Sequence, residues 1–184
     1  IAGGILTLPF SGSNIFGAAF GNTLINRGLK ALNNRFETKK EQYYEYKYTD
    51  ITYNNILVSS CASEGILAFT GDGTNPDVMK AATKAIKNVN GLGIPTVKPW
   101  NIDTIKEKLS LVKESNAIAV AMDIDAAGLP FLKNMNPPAG PKSVEELKEI
   151  IKLSEKPFIV KGIMTVAGAL KAKEAGAYAI VVSN

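Results

Sequence analysis

From Ile66 onward the chain alternates short runs of Val, Ile and Ala with amphipathic stretches, and this alternation limits the possible folds more than any other feature. The apolar runs are Ile66–Thr70, Ile94–Val97, Ala117–Ile124, Pro157–Ile163 and Tyr178–Ser183. Each is nearly continuous in apolarity, the pattern of a strand buried on both faces. The stretches between them carry helix start signals. Asn75 precedes Pro76, so a cap is followed by a proline in the first turn. Val78, Ala82, Ala85 and Val89 then share one face. Asn101 can cap a helix whose face is Ile102, Ile105, Leu109 and Val112. Ser143 with Glu146 forms a capping box, and Thr165 can cap a last helix that ends at Gly176. Strand starts recur roughly every 20–30 residues, the spacing of repeated βα units and of a parallel sheet.

The first part of the chain follows no such pattern. A strand is expected at Ile5–Phe10, a polar Gly/Ser/Asn stretch at Phe10–Asn22 and a helix near Leu24–Leu32. The tyrosine-rich segment Tyr43–Tyr53 reads as an amphipathic surface or an interface. Residues 1–47 are therefore left without a firm assignment within a single domain over 1–184.

Composition removes whole classes of function. The 184 residues include one cysteine, Cys61, and no histidine. An intrachain disulfide framework, a Ser/His triad and a His-based metal site are all excluded within this chain, and no metal is expected. Cys61 lies in an apolar helix-like stretch, Ile56–Ile66, and reads as core in a reducing, cytoplasmic setting. The net charge of +4 rests on scattered lysines, with Arg27 and Arg35 the two arginines. A nucleic-acid partner calls for a clustered basic stripe, so none is expected. The apolar runs are strand-sized, so no membrane span is expected either.

The polar residues that end the strands collect at one rim in a parallel α/β barrel. In order they are Thr70, Gly71, Asp72 and Gly73, then Lys98 and Trp100, then Asp123 and Asp125, then Lys161 and Gly162, then Ser183 and Asn184. Such a rim suits an anionic ligand or a polar heteroaromatic ring. Lys161 interrupts an apolar run and needs a partner or a ligand, because an unpaired buried ammonium is costly. Asp123 can pair with a lysine or orient a base. Asp125 has the same options, or points to the other side of the strand. Gly71–Gly73 and Ser11–Ser13 can present backbone N–H groups to phosphate, or are plain turns. The Pro/Gly-rich stretch Leu129–Lys142 reads as a substrate lid or as a long connection.

These residues also resemble a known family. The run KPFIVKGIMTVAGALKAKEAGAYAIVVSN, Lys156–Asn184, is similar to the FMN-dependent α-hydroxy-acid oxidising family, which includes glycolate oxidase and lactate oxidase. That family has a lysine in a K-G-I/V strand end, then a helix and a strand ending V-S-N-H-G-G-R. The run AIAVAMDIDAAG, Ala117–Gly128, resembles the family's strand ending in T-V-D, and AFTGDG and PTVKPW look like strands of a bacterial subgroup. The resemblance covers about Tyr48–Asn184.

The resemblance implies a TIM (β/α)8-type barrel, with the first five to six βα units present, FMN as cofactor and a small α-hydroxy acid as substrate. It implies that Lys161 lies beside the flavin N1/C2 carbonyl edge and Ser183 bonds the ring. Asp123 would pair with a catalytic histidine, and Thr70 and Gly71 fall in a flavin-contact region. Lys98 stands where a flavin-contacting Gln is usual, and Ala121 where a Thr is usual. Pro9–Ser13 is a further candidate contact. The family's histidine would follow Asn184, so the chain reads as a fragment, inactive by itself. Two alternatives stand beside this reading. One is another FMN-barrel chemistry of the isopentenyl-diphosphate isomerase type. The other is a non-catalytic partial barrel that self-associates as a homo-oligomer through an open strand edge.

Overall fold

A computed structural model describes residues 5–7 and 49–183, Pro137 excepted. The readings made on Pro9–Ser13, Phe10–Asn22, Leu24–Leu32, Arg27, Arg35 and Asn184 lie outside the described residues. Six parallel strands form one sheet in sequential order: β1 (Ile5–Thr7), β2 (Leu67–Thr70), β3 (Gly93–Val97), β4 (Val120–Asp123), β5 (Phe158–Lys161) and β6 (Ala179–Val181). Helices α1 (Asp50–Ser63), α2 (Pro76–Asn88), α3 (Ile102–Glu114), α5 (Val144–Ser154) and α6 (Val166–Glu174) lie between successive strands. The connection after β4 also holds a 3-10 turn, Ile124–Gly128, and a single helical turn, α4 (Pro130–Lys133). This is the sequential parallel β/α order of a TIM-type barrel, carried through six strands.

The helices start where side-chain oxygens cap the free backbone N–H groups. Asn75 accepts from the Asp77 N–H and Asn101 from the Thr104 N–H, each with its side-chain Oδ1. Ser143 and Glu146 close the expected reciprocal box, and the Thr165 hydroxyl accepts from the Gly168 N–H. A second box, Thr49 with Thr52, starts α1; the sequence pattern had shown only the apolar part of this helix. Cys61 is buried on it, as expected of a core residue.

Strand alternation sorts the side chains into two layers. One layer packs Ala68, Val97, Val120, Met122, Phe158 and Val160 against the helices, with Met79, Ile86, Ile105 and Ile150 opposite. Each fully buried side chain of this size contributes about 1.5–3 kcal/mol. The other layer is strand against strand: Phe69, Ile94, Ala119, Ala121 and Ile159, flanked by Leu67, Ala179 and Val181. Burial on both faces therefore holds for β2 to β5.

It does not hold for β6, which corrects the reading of Tyr178–Ser183. Tyr178 is 78% exposed and Val182 70%, because β6 ends the sheet and no further element covers it among the described residues. The run Ala117–Ile124 is also longer than its strand. The Ile118 N–H bonds Gly91 O, outside the ladder, and Ile124 begins the 3-10 turn. Among the described residues, no helix is long and apolar enough to cross a membrane.

Candidate functional site

The carboxyl ends of the strands set the site. Register pairs Asp123 of β4 with Lys161 of β5, and Lys161 in turn with Val181 of β6. Lys98 follows β3 directly, one residue beyond the pair Val97 with Met122, so it continues the same row beside Asp123. The row beneath sets Thr96 beside Ala121, Ala121 beside Ile159, and Ile159 beside Ala179. Ala121 is fully buried there. Asp123 and Lys161 thus stand above Ala121 and Ile159, on the face of the sheet turned away from the helices, with Lys98 at the end of the neighbouring strand.

Lys161 Nζ donates to Asp123 Oδ1 at 2.8 Å. The two side chains are 16% and 29% exposed, so the pair borders solvent without being immersed in it. The resemblance had given these residues separate partners, a flavin for Lys161 and a histidine for Asp123; here they meet each other. Opposite charges on register-paired strand ends are placed for such a charge-assisted hydrogen bond. Lys161 has two further N–H donors beyond the one given to Asp123. Lys98 Nζ has no ion pair or hydrogen bond among the described residues.

Asp125 returns to this group through the 3-10 turn, so strand alternation does not turn it away. The charge of Asp123 bears on its carboxyl. The residue as a whole is exposed, but its carboxyl packs on Gly162. That partial burial is the largest reason why its pKa is raised; the charge of Asp123 adds to it and Lys161 opposes it. Gly162 has φ +86°, and a Cβ there would stand 2.5 Å from Asp125 Oδ1. A glycine is therefore required both by the backbone and by the neighbouring carboxylate.

A second polar group organises the loops behind the rim. Asp72, fully enclosed, accepts from Lys108 Nζ at 2.7 Å, from Trp100 Nε1 at 2.7 Å and from the Lys98 N–H at 3.1 Å. Lys108 sits 5.7 Å from the Trp100 ring centre. The sequence reading missed Lys108. The available signal was its place between Ile105 and Leu109 on the apolar face of α3, where a solvated lysine is out of place. Trp100 also bridges to Ala139, and the Gly140 N–H donates to Pro99 O. The Leu129–Lys142 connection is thus docked at its far end, with Leu132 and Ala139 buried.

The remaining candidates are placed as follows. Gly71 is half-buried directly after β2, and Ser183 is half-buried two residues after β6. Thr70 shares the face of Ala68, toward the helices, and its Oγ1 is buried with no hydrogen-bond partner among the described residues. The structure does not bring Thr70 into the row of Lys98, Asp123 and Lys161.

The carboxyl ends of the parallel strands thus bring Lys98, Asp123 and Lys161 together above Ala121 and Ile159, at the end of the sheet where such folds bind their ligands. Residues 42–184 match the family of FMN-dependent dehydrogenases, and the chain belongs to that family. Among solved structures it is similar to a mandelate oxidase, at 18% identity and a TM-score of 0.55, covering 71% of this chain and 44% of that one. A mandelate oxidase variant with (S)-mandelic acid gives 16% and 0.56, covering 71% and 42%. A lactate oxidase described as putative, from Pediococcus acidilactici, gives 21% and 0.54, covering 73% and 42%. The chain thus spans less than half the length of these structures, and at such identities they speak for the fold. No curated protein matches the sequence. The family is FMN-dependent, and the donor set fits that cofactor's ring: N–H donors on Lys161 and Lys98 that are unspent among the described residues, for its polar edge, above the Ala121 floor.

Proposed function

We propose that the protein to which these residues belong oxidises a small α-hydroxy acid with FMN. The observation that carries this reading is the Asp123–Lys161 pair, 2.8 Å apart at the rim of a barrel of the FMN-dependent dehydrogenase family. The bound flavin supplies an acceptor for a hydride equivalent. Lys161 holds its polar edge and offers a fixed positive charge to anionic character there, at no reorganisation cost. Lys98 adds a second cation to the same row, and Ser183 a hydroxyl. Ala121 keeps the floor low enough for a ring. Asp123 steadies a protonated base during proton abstraction. That base is not among these residues, since the chain has no histidine. A cytoplasmic setting belongs to the same reading, as Cys61 is buried and free.

FMN titrated into the 184-residue chain, followed by flavin fluorescence, tests the cofactor site. Binding that weakens at least tenfold in Lys161→Met is expected; equal affinity would overturn the assignment. Turnover of lactate or glycolate by these 184 residues alone would overturn the role given to an external base.

A second reading, self-association, is favoured by the last helix and strand. Met164, Val166, Leu170, Tyr178 and Val182 are exposed together on α6, β6 and the segments beside them. An apolar surface beside an open strand edge promotes pairing. Light scattering over a range of concentrations tests it, and a constant monomer mass at high concentration would remove it.

A further inference from the structure

We propose that Asp72 is a positioning residue for Lys98, closing a buried turn from which that side chain departs at the rim. The turn is Lys98, Pro99 and Trp100, and each of its joints is fixed. The Lys98 N–H donates to Asp72 Oδ2 at 3.1 Å, and the Trp100 indole Nε1–H donates to the same oxygen at 2.7 Å. The Trp100 backbone N–H returns to the Lys98 carbonyl at 2.8 Å, so both backbone polar groups of Lys98 are held. Pro99 between them has its φ set by its own ring. Its carbonyl accepts from the Gly140 N–H at 3.0 Å. Lys108 takes the other oxygen of Asp72 at 2.7 Å and keeps the carboxylate in place.

Burial marks the part of this turn that is left for a ligand. Val97, Pro99 and Trp100 are buried, whereas Lys98 is half-buried. The Lys98 ammonium has no ion pair or hydrogen bond among the described residues, while Lys108 and Lys161 each hold a carboxylate. Its side chain therefore moves only beyond a backbone point that is fixed. Less freedom remains to be lost when the ammonium settles on an anionic group, which is the advantage of a preorganised contact. Enclosing a carboxylate is costly in desolvation. Here two of its three donors belong to the one turn that carries the uncommitted cation. The inference rests on the proposed function, since the anionic group in question is the flavin at this rim, but the fixed turn itself does not depend on flavin.

The test compares two double variants of the 184-residue chain, neither of which strands a buried charge. Asp72→Asn/Lys108→Met keeps an oxygen that can accept from Lys98 and Trp100; Asp72→Ala/Lys108→Met removes it. FMN affinity, followed by flavin fluorescence, is expected to stay within about twofold of wild type in the first and to weaken about fivefold or more in the second. With Lys98→Met added, the two should bind alike, because the effect runs through that ammonium. Equal affinity of the two with Lys98 in place would overturn the proposal. A difference that persists in Lys98→Met would also overturn it, as the mark of general damage. Nitrogen-15 relaxation and hydrogen exchange at the Lys98 amide, measured without flavin, give a second readout. An ordered, protected amide is expected in wild type and in the Asn variant, and a looser one in the Ala variant. A fast-exchanging Lys98 amide in wild type would overturn the proposal even if the Ala variant does not fold. A chain that shows this amide pattern but binds no FMN would overturn the proposed function and leave the fixed turn standing.

Discussion

Asp72 and Lys108 meet at 2.7 Å inside the protein although 36 positions separate them in sequence. The pair ties the loop after β2 to helix α3 and takes in the Trp100 indole and the Lys98 backbone on the way. Its energetic value lies less in attraction than in completeness. A buried charge is tolerated while every lone pair has a donor, and it becomes expensive when one is withdrawn.

Lys108→Met is accordingly expected to cost about 3–5 kcal/mol, because it leaves the Asp72 carboxylate enclosed without its counter-charge. Urea denaturation reads the loss. Adding Asp72→Asn to Lys108→Met should restore part of it, since the stranded charge is gone. A double variant no more stable than Lys108→Met would show that the penalty has another source.

Asp125 makes stability depend on pH in a direction opposite to most carboxylates. Its pKa is raised in the folded chain, first by partial burial and then by Asp123, with Lys161 opposing. The folded state thus binds the proton more tightly than the unfolded one. The contribution is fully present below the unfolded carboxyl pKa and is lost as pH rises through the folded value. Asp125→Asn should match the wild type at low pH and gain on it above that window. Urea midpoints between about pH 3 and pH 7 would show the two curves separate.

Glu146 behaves the other way. The backbone N–H of Ser143 is the main reason why its pKa is lowered. Its contribution is present above the unfolded carboxyl pKa and lost as pH falls through the folded value. The advantage of wild type over Glu146→Gln should therefore shrink on acidification. Ser143→Ala should cost about 0.5–2 kcal/mol at neutral pH, the usual value of a helix cap. A pH-independent gap between wild type and Glu146→Gln would contradict this account.

The two layers of the sheet also differ from its outer edge in what truncation does. Met122 and Ile105 are fully buried between sheet and helices. Met122→Ala and Ile105→Ala should each cost about 2–5 kcal/mol. Val166 is 79% exposed and Leu170 61%, so Val166→Ala and Leu170→Ala should stay within about 0.5 kcal/mol in dilute samples. Chemical denaturation of the four variants side by side checks the contrast. Large losses at Val166 or Leu170 would mean that α6 is covered in solution.

Much of this was legible in the sequence because it is local. Asn75, Asn101, Ser143 and Thr165 each mark a helix start through contacts two or three residues away. Continuous apolar runs revealed β2 to β5 because burial on both faces leaves no polar alternation. Lys161 and Asp123 stood out as charges at the ends of such runs. The sequence offered Asp123 a lysine and Lys161 a partner or ligand, but that the two meet each other rests on the register between β4 and β5. Lys108 was hidden for the same reason: its partner lies on another unit. The length of β6 was overestimated because its apolar run looks like the others, whereas its exposure depends on having no neighbour beyond it. The return of Asp125 depends on a 3-10 turn that no periodicity announces.

The bridge between Trp100 and Ala139 carries a mechanical consequence. Through it the excursion after β4 is fastened to the loop after β3, and Asp72 fastens that loop to the one after β2. Three consecutive loops on the ligand side therefore act as one linked strap with a single buried knot. Whatever shifts the far end of the excursion therefore bears on Trp100 as well and, through Asp72, on the backbone of Lys98.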